Sequence, residues 1–420
     1  MNDQLQQLVV TIEEQIRPVH TRIETRALFN QKKVLDAFRD QRISESDLVG
    51  TFGYGYDDTG RDQLEALYAR VFKAEDAIVR PQVISGTHAI TLALTSHLKH
   101  GDELLYITGE PYDTLLEVIG INGNGIGSLI ENGVSYRAIS LKNGKIDAKA
   151  VLNAIRLETK VIAIQRSKGY ASRPSIMISE IEDICQAIKA QFPEKIIFVD
   201  NCYGEFVETR EPIEAGADLI AGSLIKNPGG GICKIGGYIA GNKDLIERIG
   251  YRLTAPGIGK EAGASLYSLH EMYQGFFLSP HVVSQSLKGA VFTAALLERL
   301  GMQTTPKFDV ERTDLIQAVT FNDPDKMIAF CEAIQAASPI NSQFAPMPAY
   351  MPGYEDDVIM AAGTFIQGAS IELTADGPIR APYEAYVQGG LTYEHVKLAI
   401  IQAVETMIEK NILLLETERR

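Results

Sequence analysis

Cysteine is scarce in this chain, and the cysteines that occur are far apart. Cys185, Cys202, Cys233 and Cys331 form neither a CxxC pair nor a group with the spacing of zinc ligands. Reduced thiols in a cytoplasmic protein are the simplest explanation of such a pattern. We therefore expect a cytoplasmic protein without a metal site.

Positive charge is also in deficit, since 40 lysines and arginines face 54 aspartates and glutamates, for a formal net charge of −14. This balance disfavours nucleic acid, whose partners carry a basic footprint, and anionic lipid. No apolar run approaches the roughly 20 residues that cross a bilayer. The polar start MNDQLQQLVV is unlike a signal peptide. Small-molecule chemistry is the expectation that remains.

The composition that is present, 45% hydrophobic and 22% charged residues, is that of a folded globular protein. A length of 420 residues suggests two or three domains. We place a helical arm with a subunit-contact loop at 1–75, a large domain at 76–300 and a small domain at 301–420. In the arm, apolar residues at helical spacing over 5–16 predict an amphipathic helix, and a second apolar set follows at 34–38.

The large domain alternates apolar strands with helices, which predicts a mostly parallel sheet covered by helices on both faces. The expected strands are 102–108, 134–140, 160–166, 195–201, 218–225 and 237–241, and the clearest helices are 87–98, 178–192 and 282–300. The tail mixes helices at 325–337 and 394–413 with strands at 360–373, so a smaller α+β domain is expected there.

Two glycine-containing stretches are candidates for phosphate binding. NGNGIGS at 122–128 contains GxGxG but does not follow a strand, so a dinucleotide site is disfavoured. In ISGTHAITLAL, the residues Ser85, Gly86 and Thr87 precede a helix, and the helix amides could bind a phosphate. A plain helix cap would use the same residue types, so both interpretations stay open.

Two charged residues end neighbouring apolar strands. Asp200 closes KIIFVD, and Lys226 follows DLIAGSLI and precedes Asn-Pro and three glycines, Gly229 to Gly231. Open α/β sheets build their sites at such strand ends. A carboxylate there needs a cationic partner or becomes neutral, although a turn or cap aspartate would also fit. The glycines are expected where the backbone passes close to a ligand.

A phosphate cup, an aspartate and a lysine in this order resemble the layout of pyridoxal 5′-phosphate enzymes of fold type I. The segments GYGYDDTGRDQLE, SGTHAI, DNCYGEF, GSLIKNPGGG and DGPIRAPYEAYVQGGLTYEH are similar to the methionine γ-lyase-like group, described as candidate cystathionine β-lyases or aluminium-resistance proteins. The resemblance covers almost the whole chain. It implies an α/β fold like that of aspartate aminotransferase and a PLP-dependent lyase.

The resemblance also implies roles at the cofactor. Lys226 would bind the cofactor aldehyde and then act as the base at the substrate Cα, with Lys234 as a weaker rival. Asp200 would keep the ring nitrogen protonated. Tyr203 would bond the 3′ oxygen or pack in the core, and Tyr112 would stack on the ring or lie in an ordinary loop.

Further contacts follow from the same resemblance. Ser85, Gly86, Thr87 and Ser223 would hold the phosphate, whereas Ile225 stands where related lyases often have a second hydroxyl. Tyr56, and with less support Arg61, would reach the phosphate of a neighbouring subunit, which requires a homodimer or homotetramer.

The resemblance also implies that Arg380 grips the substrate α-carboxylate. A surface salt bridge is the alternative, although no acidic residue lies beside Arg380 in GPIRAPY. Arg166 and Arg173 could bind a second carboxylate or the cofactor, and His88 is expected to be a packed helix residue. The implied reaction is elimination from a sulfur-containing amino acid, of the cystathionine or methionine type. The alternatives are another reaction of the same cofactor, such as transamination, and a stress-response protein that binds the cofactor with little turnover.

Overall fold

Two β-sheets of different type organise the computed structural model, which describes residues 3–413. The helices are α1 (Asp3–Asp40), α2 (Thr59–Phe72), α3 (Gly86–His97), α4 (Asp113–Ile119), α5 (Ala148–Ala154), α6 (Ile178–Gln191), α7 (Lys243–Leu253), α8 (Leu269–Arg299), α9 (Pro324–Ala336) and α10 (Tyr393–Glu409). The strands are β1 (Asp76–Arg80), β2 (Glu103–Tyr106), β3 (Ser135–Ala138), β4 (Thr159–Gln165), β5 (Ile196–Asp200), β6 (Leu219–Ser223), β7 (Gly237–Gly241), β8 (Gln303–Thr305), β9 (Gln317–Thr320), β10 (Val358–Ala361), β11 (Thr374–Pro378) and β12 (Glu384–Gln388).

The large sheet has the order β1-β7-β6-β5-β4-β2-β3, and only β7 runs antiparallel to its neighbours. Alternate residues of one strand enter two separate cores. Ile197 and Val199 of β5 pack with residues of α1, α2, α6 and α8, whereas Phe198 packs with residues of α3, α4 and α7. The mostly parallel sheet with helices on both faces is therefore confirmed. All six strands expected in this region are present, and only β1 was missed.

The long helices extend further than the sequence pattern indicates. Both apolar sets of the arm lie on the single helix α1, which continues through Pro18 and packs along α8. Helix α8 begins at Leu269, before the predicted start at 282, and contains Pro280. None of the helices within residues 3–413 is long and apolar enough to cross a membrane.

The small sheet is antiparallel, in the order β10-β11-β12-β9-β8, and α9 and α10 accompany it, as the predicted α+β region requires. The strand expected over 360–373 is wrong beyond Ala361, because 362–373 forms turns. There the Glu372 carboxylate accepts the backbone N–H groups of Phe365 and Ile366 at 2.8 and 3.0 Å, which occupies donors that a strand partner would need. The domain boundaries at 75/76 and 300/301 stay predictions.

Candidate active site

The carboxyl ends of β4, β5 and β6 meet at one edge of the large sheet. Gln165 pairs in register with Asp200, and Asp200 pairs with Ala221, two residues before Ser223. The N-terminus of α3 approaches the same edge, because a Cβ on Gly86 would lie 3.1 Å from the Ser223 Cβ. Parallel strands thus bring together side chains that are far apart in the chain.

A cavity of about 270 Å³ opens at this edge. Its walls include eight residues expected from the sequence, Ser85, Gly86, Thr87, Tyr112, Asp200, Tyr203, Ser223 and Lys226. They also include Thr114, Gln165, Ser167, Gly169, Tyr170, Cys202, Ile225, Ile316, Tyr354 and Gln388. A larger open groove beside α2, of about 680 Å³, contains only Arg61 of the residues considered above. The smaller cavity, which holds eight of the expected residues, is therefore the candidate site.

Lys226 projects into this cavity from the loop after β6. Its Nζ lies 4.0 Å from the centre of the Tyr203 ring, and within residues 3–413 it makes no hydrogen bond or ion pair. Burial lowers the pKa of the Lys226 ammonium, but the electrostatic influence of Cys202, Tyr203 and Asp200 raises it above its usual range. Lys234 is instead exposed and pairs with Glu271, which removes it as a rival.

The glycines after Lys226 serve protein packing. A Cβ on Gly229 would lie 1.6 Å from the Leu224 carbonyl oxygen, and one on Gly230 would lie 2.4 Å from that of Gly275 in α8. Gly230 also has a φ of +56°, which a side chain disfavours. Helix α8 and the Leu224 backbone therefore explain these two glycines, where we had expected close approach to a ligand.

Asp200 is the buried carboxylate of the cavity, with 4% of its surface exposed. Its Oδ1 accepts the backbone N–H of Cys202 at 3.1 Å, and no ion pair to it exists within the described residues. Burial raises the pKa of the Asp200 carboxyl, and the Lys226 ammonium opposes this shift. A buried acceptor of this kind suits a cationic N–H donor.

Tyr112 is held by two residues of the cavity wall, one at its backbone and one at its hydroxyl. Its backbone N–H donates to Gln165 Oε1 at 2.9 Å, and its hydroxyl lies 3.0 Å from Thr87 Oγ1. Gln165 is fixed in turn by donation from its Nε2 to the Ser167 carbonyl at 3.0 Å. Burial raises the pKa of the Tyr112 phenol well above its usual range, so the ring is neutral at physiological pH. Sequence reasoning missed Gln165, although it ends its strand as Asp200 ends the next.

The N-terminus of α3 combines a cap with free donors. Ser85 Oγ accepts the N–H of His88 at 3.0 Å, so this hydroxyl is a helix cap. The N–H groups of Gly86 and Thr87 have no intrahelical acceptor, because the first turn of a helix never provides one. His88 is half-buried, and its Nδ1 accepts the N–H of Ile84 at 3.2 Å, which agrees with a packed helix residue.

These groups fit pyridoxal 5′-phosphate. The helix amides next to Ser223 suit a phosphate, the unpaired Asp200 suits a protonated ring nitrogen, and the unpaired Lys226 suits an aldehyde. Gly86 leaves room between α3 and β6, since its missing Cβ would also lie 3.4 Å from Cys202 Sγ.

The methionine gamma-lyase family model matches residues 5–408. The chain belongs to this family. It is 61% identical over 411 residues to the uncharacterized protein YnbB of Bacillus subtilis. This match covers 97% of this chain and 98% of YnbB.

Two solved structures extend the comparison. A Clostridium novyi protein described as a carbon-sulfur lyase involved in aluminum resistance is 47% identical with a TM-score of 0.93, covering 97% of this chain and 96% of that one. A Listeria innocua protein described as a candidate cystathionine beta-lyase involved in aluminum resistance is 60% identical with a TM-score of 0.94, covering 96% and 99%. The protein is thus a member of a lyase family, with the fold type I architecture of PLP-dependent enzymes.

In this methionine gamma-lyase family member, Arg166 and Arg173 lie outside the cavity wall. Arg166 is fully buried and donates to Thr313 Oγ1, Asn201 Oδ1 and Glu208 Oε1 at 3.0, 2.8 and 3.2 Å. Arg173 Nη2 donates to the carbonyls of Gln165 and Ser167 at 2.9 and 2.7 Å. Burial lowers the pKa of Arg173 to about 10. Arg166 thus holds side chains outside the cavity wall, and Arg173 holds the backbone of Gln165 and Ser167.

Arg380 also lies outside the wall of the lyase cavity, and it is not unpaired. Its Nη1 is 3.2 Å from Asp356 Oδ2 and 3.6 Å from Asp113 Oδ1. Asp113 is adjacent to Thr114, and Asp356 is two residues from Tyr354, both of which line the cavity. Arg380 therefore forms the surface ion pairs that were the alternative to substrate binding, with two aspartates that are distant in sequence.

The loop of Tyr56 lies away from the cavity of its own chain. Tyr56 is exposed and stacks on Tyr54, with ring centres 5.4 Å apart. Arg61 is buried and donates to the carbonyls of Gly55 and Gly263 at 2.7 and 3.0 Å. Arg61 is thus occupied with holding this loop, which presents two aromatic rings to solvent.

Proposed function

We propose that the protein is a PLP-dependent carbon–sulfur lyase that acts on a sulfur-containing amino acid. Amino acid and water would give a 2-oxo acid, ammonia and a thiol. The observation that carries the proposal is the pairing, in one cavity, of an amine and a buried carboxylate that both lack ion-pair partners within residues 3–413, Lys226 and Asp200. Bound pyridoxal phosphate would supply an aldehyde that captures the substrate amine and a ring that stabilises negative charge at Cα.

Different residues around this cavity would bind different parts of the cofactor. The N–H groups of Gly86 and Thr87 and the Ser223 hydroxyl would hold the phosphate, with Ser85 ordering the turn as a cap. Asp200 would accept the hydrogen bond of the ring N–H. Its burial strengthens this charge-assisted contact by excluding water.

Aromatic residues would fix the ring plane. Tyr112 is proposed to stack on the ring, since Gln165 and Thr87 hold it at both ends. Tyr203 is proposed to bond the 3′ oxygen. Its ring already lies against the Lys226 amine at 4.0 Å, so the same residue would orient the lysine and the cofactor.

Lys226 would carry the proton. With the substrate bound, its free amine would remove the Cα proton and donate it to the departing sulfur, which takes the electron pair of the broken carbon–sulfur bond and leaves as a thiol. Arg380 is proposed to release Asp113 or Asp356 and to bind the substrate α-carboxylate instead. Tyr56 is proposed to complete the phosphate site of a second copy, in a homodimer or homotetramer.

The test is product analysis with the purified, cofactor-loaded protein. S-propyl-L-cysteine, L-cystathionine and L-methionine would be supplied in turn, and 2-oxo acid, ammonia and thiol measured together. We expect the three products in equal amounts from at least one compound. A stable aminated cofactor without thiol would establish transamination instead, and binding without either product would establish a cofactor-binding protein.

A further inference from the structure

Gln388, the last residue of β12, brings a polar group to the cavity that the proposed chemistry does not use. The residue lines the cavity and is 3% exposed. Its Nε2 donates to Asp376 Oδ1 at 2.8 Å. Its Oε1 is buried and, within residues 3–413, has no hydrogen-bond partner. A buried acceptor of this kind is costly unless a ligand supplies the donor.

The orientation of the Gln388 amide is fixed from behind. Asp376 Oδ1 also accepts the Tyr170 hydroxyl at 2.6 Å, so one carboxylate oxygen receives two donors. Because Asp376 Oδ1 already accepts two hydrogen bonds, turning the Gln388 amide over would place Gln388 Oε1 against it with no hydrogen between the two oxygens. Gln388 therefore keeps its nitrogen towards Asp376 and its oxygen on the opposite side.

The surroundings of this oxygen favour a positively charged donor. Asp376 is 4% exposed and forms no ion pair within the described part of the chain. The rings of Tyr170 and Tyr354 lie 5.8 Å apart and both line the cavity, and aromatic faces attract cations. The residues proposed for the cofactor lie on β5, β6 and α3 and in the loops beside the large sheet, whereas Gln388 and Asp376 belong to the small sheet.

We propose that Gln388 is a specificity-determining residue whose Oε1 accepts a hydrogen bond from a protonated nitrogen at the far end of the substrate side chain. Resting on the proposed lyase function, this selects amino acid thioethers that end in an ammonium group over thioethers that end in a methyl group. Asp376 and Tyr170 are the positioning residues for the amide.

The test compares two amino acids of the same heavy-atom number that have no leaving group, L-ornithine and L-norleucine. Their dissociation constants for the cofactor-loaded protein are measured by titration calorimetry. We expect the wild type to bind ornithine at least tenfold more tightly than norleucine. In Gln388→Met, which keeps side-chain length without the amide, this preference should fall at least tenfold. Equal affinities in the wild type, or an unchanged preference in the variant, would overturn the inference.

Two further measurements separate the possible failures. If thermal unfolding shows that Gln388→Met is misfolded, Asp376→Asn takes its place, since loss of the charge behind Gln388 should also reduce the preference for ornithine. Turnover of S-(2-aminoethyl)-L-cysteine and S-propyl-L-cysteine is then compared. Absence of thiol from both, and from L-cystathionine and L-methionine, would contradict the lyase proposal, while the ornithine-to-norleucine ratio would still decide the role of Gln388.

Discussion

The Lys226 amine lies 4.0 Å above the centre of the Tyr203 ring. The tyrosine face supplies negative potential, and Asp200 adds a formal charge to the same cavity. A lysine held in this way is protonated until an aldehyde or a substrate changes its surroundings. This arrangement makes the lysine the first residue to test.

Replacing Lys226 with alanine should abolish the visible absorbance of the lysine-bound cofactor and reduce turnover by at least about 100-fold, the lower range for loss of a general base. Lys234→Ala is the matched control, because Lys234 is exposed and lies in the same glycine-rich segment. Absorbance spectra and product assays of both variants give the answer. Equal losses in the two variants would contradict the assignment.

Gln165 is predicted to position Tyr112. Gln165→Leu removes the acceptor for the Tyr112 N–H, so we expect kcat/KM to fall by about tenfold, equivalent to ~1.4 kcal/mol. Gln165→Glu keeps that acceptor at the same length and should restore part of the loss. Cofactor spectra are recorded with the kinetics, because a shifted spectrum reports the ring environment. A loss of folded protein alone, with unchanged kinetics per folded site, would assign Gln165 a purely structural role.

The sequence predicted the large-sheet side of the cavity better than its small-sheet side. Asp200, Ser223 and Lys226 end neighbouring apolar strands, and sheet topology alone brings such ends together. Gln388 and Tyr354 come from the small-sheet region, and no periodic pattern indicates that they approach β4 and β5. Their placement depends on how the small sheet packs, which is a long-range property of the fold.

Local patterns also misled at two places. Ala369, Ile371 and Leu373 are apolar at alternate positions, as in a strand, but the Glu372 carboxylate accepts the amide N–H groups of Phe365 and Ile366. Arg380 has no acidic neighbour in sequence, yet it lies within 4 Å of Asp356 and Asp113. A local side-chain contact decided the first case, and side chains brought in by tertiary folding decided the second.

Tyr56 gives a test of a shared active site. If Tyr56 contributes to the active site of a second copy, homodimers of Tyr56→Ala and of Lys226→Ala should each be inactive. In a mixed dimer, one active site would carry both defects and the other would carry neither. Mixing the two variants after subunit exchange should restore about a quarter of wild-type turnover, because half of the random dimers contain one intact site. Size-exclusion chromatography confirms that both variants assemble. No recovery in exchanged dimers would place Tyr56 outside the site.

Glu205 is a buried residue that should make the stability of the protein depend on pH. Its Oε1 accepts the Tyr238 hydroxyl at 2.8 Å, while its Oε2 is buried without a partner within residues 3–413. Burial, with the nearby Glu211 charge, raises the pKa of Glu205 to about 8, although its hydrogen bonds oppose the shift. The folded state therefore holds a proton on Glu205 at pH values where the unfolded chain has already lost it.

Because the folded state binds this proton more tightly, stability should fall as pH rises from the unfolded pKa of about 4.3 to the folded pKa of about 8, and the loss should level off above it. Glu205→Gln is neutral and similar in shape, so it should flatten this part of the stability profile and unfold at higher denaturant than the wild type at pH 8. Denaturant unfolding between pH 5 and 9 measures the effect, with exposed Glu45→Gln as the control. A variant that keeps the wild-type slope would show that Glu205 is ionised in the folded protein throughout this range.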